Sequence, residues 1–303
     1  MSSPLDLSVL YRGPLSSCNY GCAYCPFAKR VESARELAVD RDAWGRFISW
    51  VAARPANDRL GVFVTPWGEA LIRRWYQEGL ARLTELPQVV RAAIQTNLSG
   101  RLDWIERCAE PGKLGLWCTY HPKWTSRARF VEQCRQLDDA QVRYSVGVVG
   151  FPEHLDEARA LRDALPPHVY VWVNAVKTNG PGYDEEQIRT WEAIDPLFRI
   201  NLPNYPSGGR SCHAGHTAVT VDGQGTIRRC HFIAESVGNI YEPGWEAALR
   251  PRPCSKATCH CHIGYVHLEY LELDKVYGAG LLERVPVADA LVSAKRRLSL
   301  LPA

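Results

Sequence analysis

Three cysteines in one short loop constrain this chain more than any other feature. The loop spans Ser17 to Pro26, places Cys18, Cys22 and Cys25 in a CxxxCxxC array, and directly follows the strand-like run Leu5 to Tyr11. Three thiolates on one loop can bind three corners of a cubane iron–sulfur cluster, whereas a closed zinc site needs a fourth ligand at matching spacing. No such ligand lies nearby in the sequence. The spacing therefore predicts a cluster with one open iron, with a zinc or structural thiol site as the alternative.

Composition limits the other classes of function. The 303 residues allow one large core and a small added domain. The chain has 36 basic and 33 acidic residues, a formal charge of +3 and no block of Lys or Arg, so nucleic acid is a weak partner hypothesis. Eleven cysteines without a signal-like N-terminus predict reduced, partly metal-bound thiols. The apolar stretches are short, so we expect a soluble, cytoplasmic protein without a membrane span.

Strand-like and helical segments alternate about six times along the first two thirds of the chain. Strands are predicted at 60–65, 89–96, 114–120, 142–149 and 169–176. Helices are predicted after a cap at Asp40 and then at 69–86, 102–108, 125–137, 152–165 and 184–194. The alternation predicts an α/β protein with a parallel sheet and outer helices, and periodicity alone fits a barrel and a doubly wound sheet equally well.

The cysteine spacing, with Tyr24 directly before the last cysteine, resembles the cluster motif of the radical S-adenosylmethionine (radical SAM) enzymes. The resemblance implies a partial (β/α)6 barrel at residues 1–200, with the cluster loop after the first strand. It also implies that the open iron binds the amino and carboxyl groups of SAM, with Tyr24 among the cofactor-binding residues. In such folds the chemistry gathers at the carboxyl ends of the strands.

Two further segments resemble SAM-binding parts of the family. Trp67-Gly68-Glu69 follows the second predicted strand, where the family carries a Gly-Gly-Glu-like segment that receives the SAM ammonium, and Trp67 replaces the first glycine. Gly150 and Glu153 match a segment after the fifth strand that packs against the adenine. Without the resemblance, Gly68-Glu69 is only a helix N-terminus with a favourable acidic residue.

Other chemical groups end the third, fourth and sixth predicted strands. Asn97 is a candidate for the SAM or substrate pocket or an ordinary turn residue, and Asn174 and Lys177 are candidates for cofactor or substrate contacts or solvated residues. Cys118 could donate a hydrogen atom to a substrate radical or be a buried free thiol, and His121 could act as a base. Alternation puts Cys118 and His121 on opposite faces of the strand, so only one can point into a barrel.

From Asn201 the chain becomes rich in Pro, Gly, His and Cys, which predicts a second domain at 201–303. A predicted hairpin at 217–229 brings two distant cysteines together. The region contains five cysteines: Cys212, Cys230, Cys254, Cys259 and Cys261. It resembles the SPASM and twitch domains of the family, which implies one auxiliary [4Fe–4S] cluster and one spare thiol among the last three. A zinc site that includes neighbouring histidines is the alternative.

The resemblance implies an oxidoreductase that cleaves SAM reductively to a 5′-deoxyadenosyl radical and abstracts hydrogen from its substrate. An electron donor such as flavodoxin or ferredoxin is implied. We expect a fully ligated auxiliary cluster that helps to oxidise or rearrange the substrate, with a net oxidation favoured.

The first strand starts close to Met1, and the segment after Cys261 is short, with a helix predicted from His267 to Tyr277 and a basic Lys295-Arg296-Arg297.

From these lengths we expect no leader-binding domain and favour a small-molecule substrate, such as a sugar, nucleoside or amino-acid derivative. A peptide-modifying enzyme is the runner-up. A non-catalytic iron–sulfur electron carrier or sensor is the alternative from a different class.

Overall fold

Nine strands form one sheet in this computed structural model, which describes residues 4–27, 30–177 and 182–287. Six of them are parallel and stand in chain order: β1 (Asp6–Arg12), β2 (Arg59–Val64), β3 (Val89–Thr96), β4 (Leu114–Thr119), β5 (Arg143–Val149) and β6 (Val171–Asn174). Each strand pairs with the next one along the chain, as repeated right-handed crossovers produce. The predicted α/β class is confirmed, and the six strands are those of the predicted partial barrel.

Five helices accompany these strands: α1 (Ala34–Ala52), α2 (Arg74–Glu85), α3 (Arg127–Asp139), α4 (Leu155–Ala164) and α5 (Glu185–Glu192). The prediction of a cap at Asp40 was wrong, because Ser33 caps α1 and forms a capping box with Glu36. The helix predicted at 102–108 is a 3-10 turn at Asp103–Arg107. No helix in the described ranges is both long and apolar enough to cross a membrane.

Successive side chains along each strand point to opposite faces of the sheet, so the structure has an outer core and an inner core. Outward side chains pack with the helices, for example Tyr11, Val62, Ile94 and Leu116. Inward side chains form the other core together with the tail of the chain: Leu10, Phe63, Ala93, Trp117, Trp172, Tyr205, Tyr265 and Tyr277. Aromatic rings from the barrel and the tail therefore form a large part of this inner core.

The segment after residue 200 extends the same sheet. β8 (Ala218–Asp222) pairs in parallel with β1, and β9 (Thr226–Arg228) and β10 (Ser236–Asn239) follow as antiparallel neighbours. The predicted hairpin is present, since the Gly225 amide donates to the Asp222 carbonyl at 2.9 Å across the turn. The predicted boundary near residue 200 therefore does not separate two sheets.

Short elements complete the tail. β7 (Tyr205–Pro206) pairs with β11 (Thr258–Cys259), and α6 (His262–Tyr265) and α7 (Asp274–Tyr277) follow. The single helix predicted from His267 to Tyr277 was wrong, because Glu272 has a positive φ of 48° between a 3-10 turn and α7. The basic Lys295-Arg296-Arg297 lies outside the described residues.

Two charged residues of the tail close the amino end of the barrel. The Glu283 carboxylate lies 3.1 Å from Arg143 and 3.5 Å from Arg91, both near the starts of their strands. The neighbouring Arg284 is buried, donates to Asn201 at 2.7 Å and lies over the Trp172 ring at 4.7 Å. This end is therefore plugged, and the carboxyl ends of the strands are left for the site.

Asp40 is buried inside α1 and joins the cysteine loop to two helices. Its carboxylate accepts hydrogen bonds from the Leu15 amide at 3.0 Å, the Trp75 indole at 2.9 Å and the Tyr76 hydroxyl at 2.9 Å. Burial raises the pKa of this carboxyl, and the three donors oppose the rise. Asp40 is therefore a buried junction and not a helix cap.

We expect Asp40→Ala to lower the free energy of unfolding by about 2–4 kcal/mol, because two buried donors and one half-buried donor lose their acceptor. Urea denaturation followed by circular dichroism measures this loss. Asp42→Ala is the matched control, since Asp42 is exposed on the same helix and pairs with Arg41 at the surface. Equal stabilities of the two variants would contradict the junction role.

Candidate functional site

A cavity of about 210 Å³ is lined by the cysteine loop and lies over the ends of β2, β3 and β4. We call it the cysteine cavity. Its wall includes residues predicted from four separate segments: Cys18, Cys22, Cys25, Gly68, Glu69, Asn97 and His121. The fold thus brings these candidates together at the carboxyl ends of the strands, where parallel α/β folds carry their chemistry.

A buried carboxylate fixes the start of the cysteine loop. Glu32 accepts hydrogen bonds through one oxygen from the Ser16 amide at 3.1 Å, the Ser17 amide at 2.9 Å and the Ser17 hydroxyl at 2.7 Å. Arg73 also donates to the Ser17 hydroxyl, at 3.1 Å. The backbone before Cys18 is therefore held from two sides.

Gly68 lets the loop after β2 pack directly on the cysteine loop. The Trp67 amide donates to the Leu15 carbonyl at 3.2 Å, and the Glu69 amide donates to the Ser17 carbonyl at 3.1 Å. A Cβ atom on Gly68 would lie 1.8 Å from that Ser17 oxygen. Only glycine permits this approach of two backbones.

Glu69 is buried between the second and third strand ends. Its carboxylate accepts from the Leu71 amide at 3.0 Å, the Thr96 hydroxyl at 2.9 Å and the Asn97 amide at 2.5 Å. Burial raises the pKa of Glu69 to about 7, although these donors act to lower it. A carboxylate has about four acceptor positions, so one remains for a further donor. Because α2 begins only at Arg74, Glu69 is not part of a helix N-terminus.

Asn97 connects the third strand end to the first cysteine. Its side-chain amide donates to the Asn19 side-chain oxygen at 3.0 Å and lies 3.7 Å from the Cys18 sulfur. The Tyr20 amide donates to the same sulfur at 3.3 Å. Donors of this kind stabilise a thiolate and tune a cluster that it holds.

His121 contacts the cysteine loop. Its Nδ1 atom lies 2.7 Å from the Tyr24 hydroxyl and 3.5 Å from the Cys22 sulfur. Burial, with a smaller effect of His154, lowers the pKa of His121 to about 4, so the ring is neutral at neutral pH. His121 is thus placed to orient Tyr24 and Cys22.

Cys118 lies on the other face of β4. It is fully buried in the outer core, and burial, with a smaller effect of the nearby Cys134, raises the pKa of its thiol well above the usual value. Thr119, the next residue, lines the cysteine cavity instead. The predicted hydrogen-donor role of Cys118 therefore needs correction, because its side chain points away from the barrel interior.

The candidate residues after the fifth and sixth strands lie in different parts of the structure. Gly150 donates to the Asn174 carbonyl at 2.9 Å and lies away from the cysteine cavity, beside Tyr183. Glu153 is exposed in a short 3-10 turn. The Lys177 ammonium donates to the Pro203 carbonyl at 2.9 Å and to a tail carbonyl, so it ties the barrel to the tail.

A second cavity, which we call the chamber, has a volume of about 400 Å³ and adjoins the cysteine cavity. Four residues line both cavities: Phe27, Trp67, Gln95 and Thr119. Further walls come from the barrel and the tail: Arg12, Trp117, Trp172, Asn174, His231, Phe232, Cys261 and His262. Of the residues predicted on the sixth strand, Asn174 therefore reaches this space.

Three of the five tail cysteines line a third space, the tail cavity, of about 310 Å³. Cys230, Cys254 and Cys259 line it, and burial together with the nearby thiols of Cys230 and Cys254 raises the pKa of the fourth, Cys212. Burial first, and the other thiols next, raise the pKa of Cys259 to about 12. Cys261 differs, because it lines the chamber.

This donor set fits a polynuclear metal group. Buried thiols close to one another resist ionisation until a metal cation offsets their charge. In the described part of the chain, no three Cys, His, Asp or Glu side chains converge closely enough to hold a single metal ion. Cysteine sulfurs that line a cavity are the kind of donor that an iron–sulfur cluster uses.

Three side chains that build the site were missed by the sequence analysis. Glu32 and Asp40 hold the cysteine loop from separate positions along the chain, and no local motif marks either residue. Arg12 ends β1 and lines the chamber. The same rule that selected polar residues at the ends of the other strands could have found it.

The chain matches no protein-family model, and no curated protein matches it. Among solved structures it is similar to native anSMEcpe with bound AdoMet, at 12% identity over 80% of each chain with a TM-score of 0.50. A hexahistidine-tagged anSMEcpe with bound AdoMet gives a TM-score of 0.51 at 12% identity, over 80% of this chain and 79% of that one. The chain shares the fold of these structures. A likeness at this level of identity shows the fold alone.

We expect Gly68→Ala to destabilise the protein by on the order of 2–4 kcal/mol and to impair iron uptake, because the new methyl group pushes the Ser17 backbone away. Iron analysis after anaerobic reconstitution and thermal melting measure the two effects. The matched control is Gly112→Ala, where a Cβ atom meets nothing within 4 Å. Normal iron uptake by Gly68→Ala would contradict the proposed close contact.

Proposed function

We propose that the chain is a radical SAM enzyme that acts on a small molecule held between two iron–sulfur clusters. The observation that carries the proposal is that the three cavities adjoin one another through shared lining residues. Four residues are shared between the cysteine cavity and the chamber, and Phe232 is shared between the chamber and the tail cavity. A substrate in the chamber would therefore lie between the two sets of thiols.

Cys18, Cys22 and Cys25 would hold the first cluster. When bound, such a cluster and AdoMet supply a one-electron cleavage that yields a 5′-deoxyadenosyl radical. The protein's part is to bind, orient and exclude water. Glu69 keeps one acceptor position for the AdoMet ammonium, and its buried position strengthens that contact.

The chamber supports hydrogen abstraction through its walls. Trp117 and Trp172 meet edge to face at 5.4 Å, and Phe63 stacks on Trp117 at 5.6 Å. The rings of Trp117 and Trp172, which line the chamber, would hold the reacting carbon in one place, and this matters because a carbon radical also reacts with other C–H and S–H bonds within reach. Gln95 and Thr119 are the polar groups at the passage between the two cavities.

The tail would hold the auxiliary cluster through Cys212, Cys230, Cys254 and Cys259. Four thiols complete the ligation of a cubane, which favours transfer of an electron from the substrate to the cluster and hence a net oxidation. Cys261 is then the spare thiol. An electron donor such as flavodoxin or ferredoxin in the cytoplasm would reduce the first cluster.

We expect the reconstituted protein, with dithionite and AdoMet, to release 5′-deoxyadenosine, and Cys25→Ala to release none above the background. Liquid chromatography with mass detection measures the product. Cys108→Ala is the control, because Cys108 is buried in the outer core, away from the three cavities.

Two results would count against this function. Equal turnover by Cys25→Ala would remove the first cluster from the reaction. A clustered protein that accepts electrons from a reductant but does not bind AdoMet would instead be an iron–sulfur carrier.

The auxiliary ligands are tested separately by iron content. We expect about eight irons in the wild type and in Cys261→Ala, but only about four in Cys259→Ala, because each cubane contains four irons and needs its ligands. Both variants change neighbouring tail cysteines, so each is the control for the other. Loss of iron from Cys261→Ala would assign that thiol to the cluster.

A further inference from the structure

The chamber contains a half-buried guanidinium that pairs with no carboxylate of the described residues, and the thiol of Cys261 is the nearby group that acts on its charge. The Nε atom of Arg12 donates to the Thr65 carbonyl at 2.9 Å and to the Thr65 hydroxyl at 3.2 Å. Its guanidinium stacks on the Trp67 ring at 4.1 Å. Within the described ranges its two terminal nitrogens have no hydrogen-bond partner, and Arg12 makes no ion pair. The side chain is thus fixed, with its two terminal nitrogens unpaired.

The other walls do not balance this charge. No Asp or Glu of the described chain lines the chamber. Two imidazole nitrogens there, Nδ1 of His231 and Nε2 of His262, are buried without a hydrogen-bond partner in the described structure. The remaining lining is largely apolar and includes five aromatic rings. The chamber therefore offers cationic and neutral nitrogen groups within an apolar wall.

A charge that has lost much of its water and has no partner is costly, and a ligand of opposite charge offsets the cost. Burial lowers the pKa of Arg12 to about 10, so the guanidinium still carries its proton at neutral pH. A fixed guanidinium fork matches the two oxygens of a carboxylate. The volume of about 400 Å³ is near the lower end for ligand pockets, which suits a small molecule.

We propose that the chamber binds a small carboxylic acid with an apolar body, and that Arg12 binds its carboxylate. This inference rests on the proposed function, in which the chamber holds the substrate. The aromatic walls receive the body of the molecule, which includes the carbon that loses hydrogen. Arg12 is therefore a specificity-determining residue at the end of β1.

Two other anions could be the partner of Arg12. One is the carboxylate of AdoMet, but Arg12 lines the chamber and not the cysteine cavity where AdoMet would meet the first cluster. The other is the auxiliary cluster with its thiolates, but Cys261 alone among the tail cysteines lines the chamber with Arg12. Each alternative predicts a different response of an Arg12 variant.

The first test compares two probes on the wild-type holoprotein. Anaerobic calorimetry measures the affinity of 3-phenylpropionate and of 3-phenylpropionamide, which has the same shape without the charge. We expect the acid to bind at least about tenfold more tightly, because a charge-assisted pair forms only with the acid. Equal affinities, or binding of neither probe, would overturn the proposal. Tighter binding of phenyl phosphate than of the acid would overturn the choice of carboxylate.

The second test uses Arg12→Gln, which we expect to weaken the acid at least about tenfold and leave the amide unchanged. Arg12→Lys should recover part of the affinity, since it keeps the charge but loses the fork. Arg210→Gln is the matched control, because Arg210 stacks on Tyr270 at 4.6 Å and is exposed on the tail. An equal loss of AdoMet affinity in Arg12→Gln would assign Arg12 to AdoMet, and loss of iron would assign it to a cluster.

The proposal and the proposed function fail in different ways. If the wild type forms no 5′-deoxyadenosine, the enzyme assignment fails whatever the probes do. If it forms 5′-deoxyadenosine but does not prefer the acid, only the carboxylate assignment fails. The wild-type comparison of the two probes needs no variant, so it stands even if Arg12→Gln misfolds.

Discussion

The site depends on one contact between two backbones, in which the loop after β2 lies directly on the cysteine loop. The Ser17 carbonyl accepts from the Glu69 amide, and Gly68 makes the approach possible. Glu69 then receives the Asn97 amide from the end of β3, and Asn97 approaches the Cys18 sulfur. Three strand ends are thus joined in a ring that begins and ends at the cysteine loop. Because backbone and buried carboxylate contacts build this ring, the cysteines have a fixed frame.

The tail has two structural tasks at opposite ends of the barrel. At the amino end, Glu283 and Arg284 fill the space between the strand starts with paired charges and stacked guanidinium. At the carboxyl end, tail residues such as Phe232 and His262 form the far wall of the chamber. The tail thus closes the amino end of the barrel and forms part of the chamber wall at the carboxyl end.

Local features made part of this structure predictable. The cysteine spacing, the period-two pattern of the strands and the turn at Asp222–Gly225 are all encoded in short segments, and the parallel sheet follows from their order. The outward direction of Cys118 is different, because alternation gives two faces but closure of the barrel decides which one is inside. Glu32 and Asp40 were missed for a related reason. Their partners are distant in sequence, so only the tertiary fold turns these acids into acceptors.

Cysteine spacing does not decide which tail thiols line which cavity, and contacts with the barrel do. Cys259 and Cys261 are two residues apart, and either one suits a cluster by spacing alone. Between them, the His260 carbonyl accepts from the Lys177 ammonium at 2.6 Å, and Lys177 comes from the end of β6. This bond anchors the turn after β11 to the barrel, with Cys259 in the tail cavity and Cys261 in the chamber. A side chain of the barrel therefore helps to decide which thiol lines the tail cavity and which one lines the chamber.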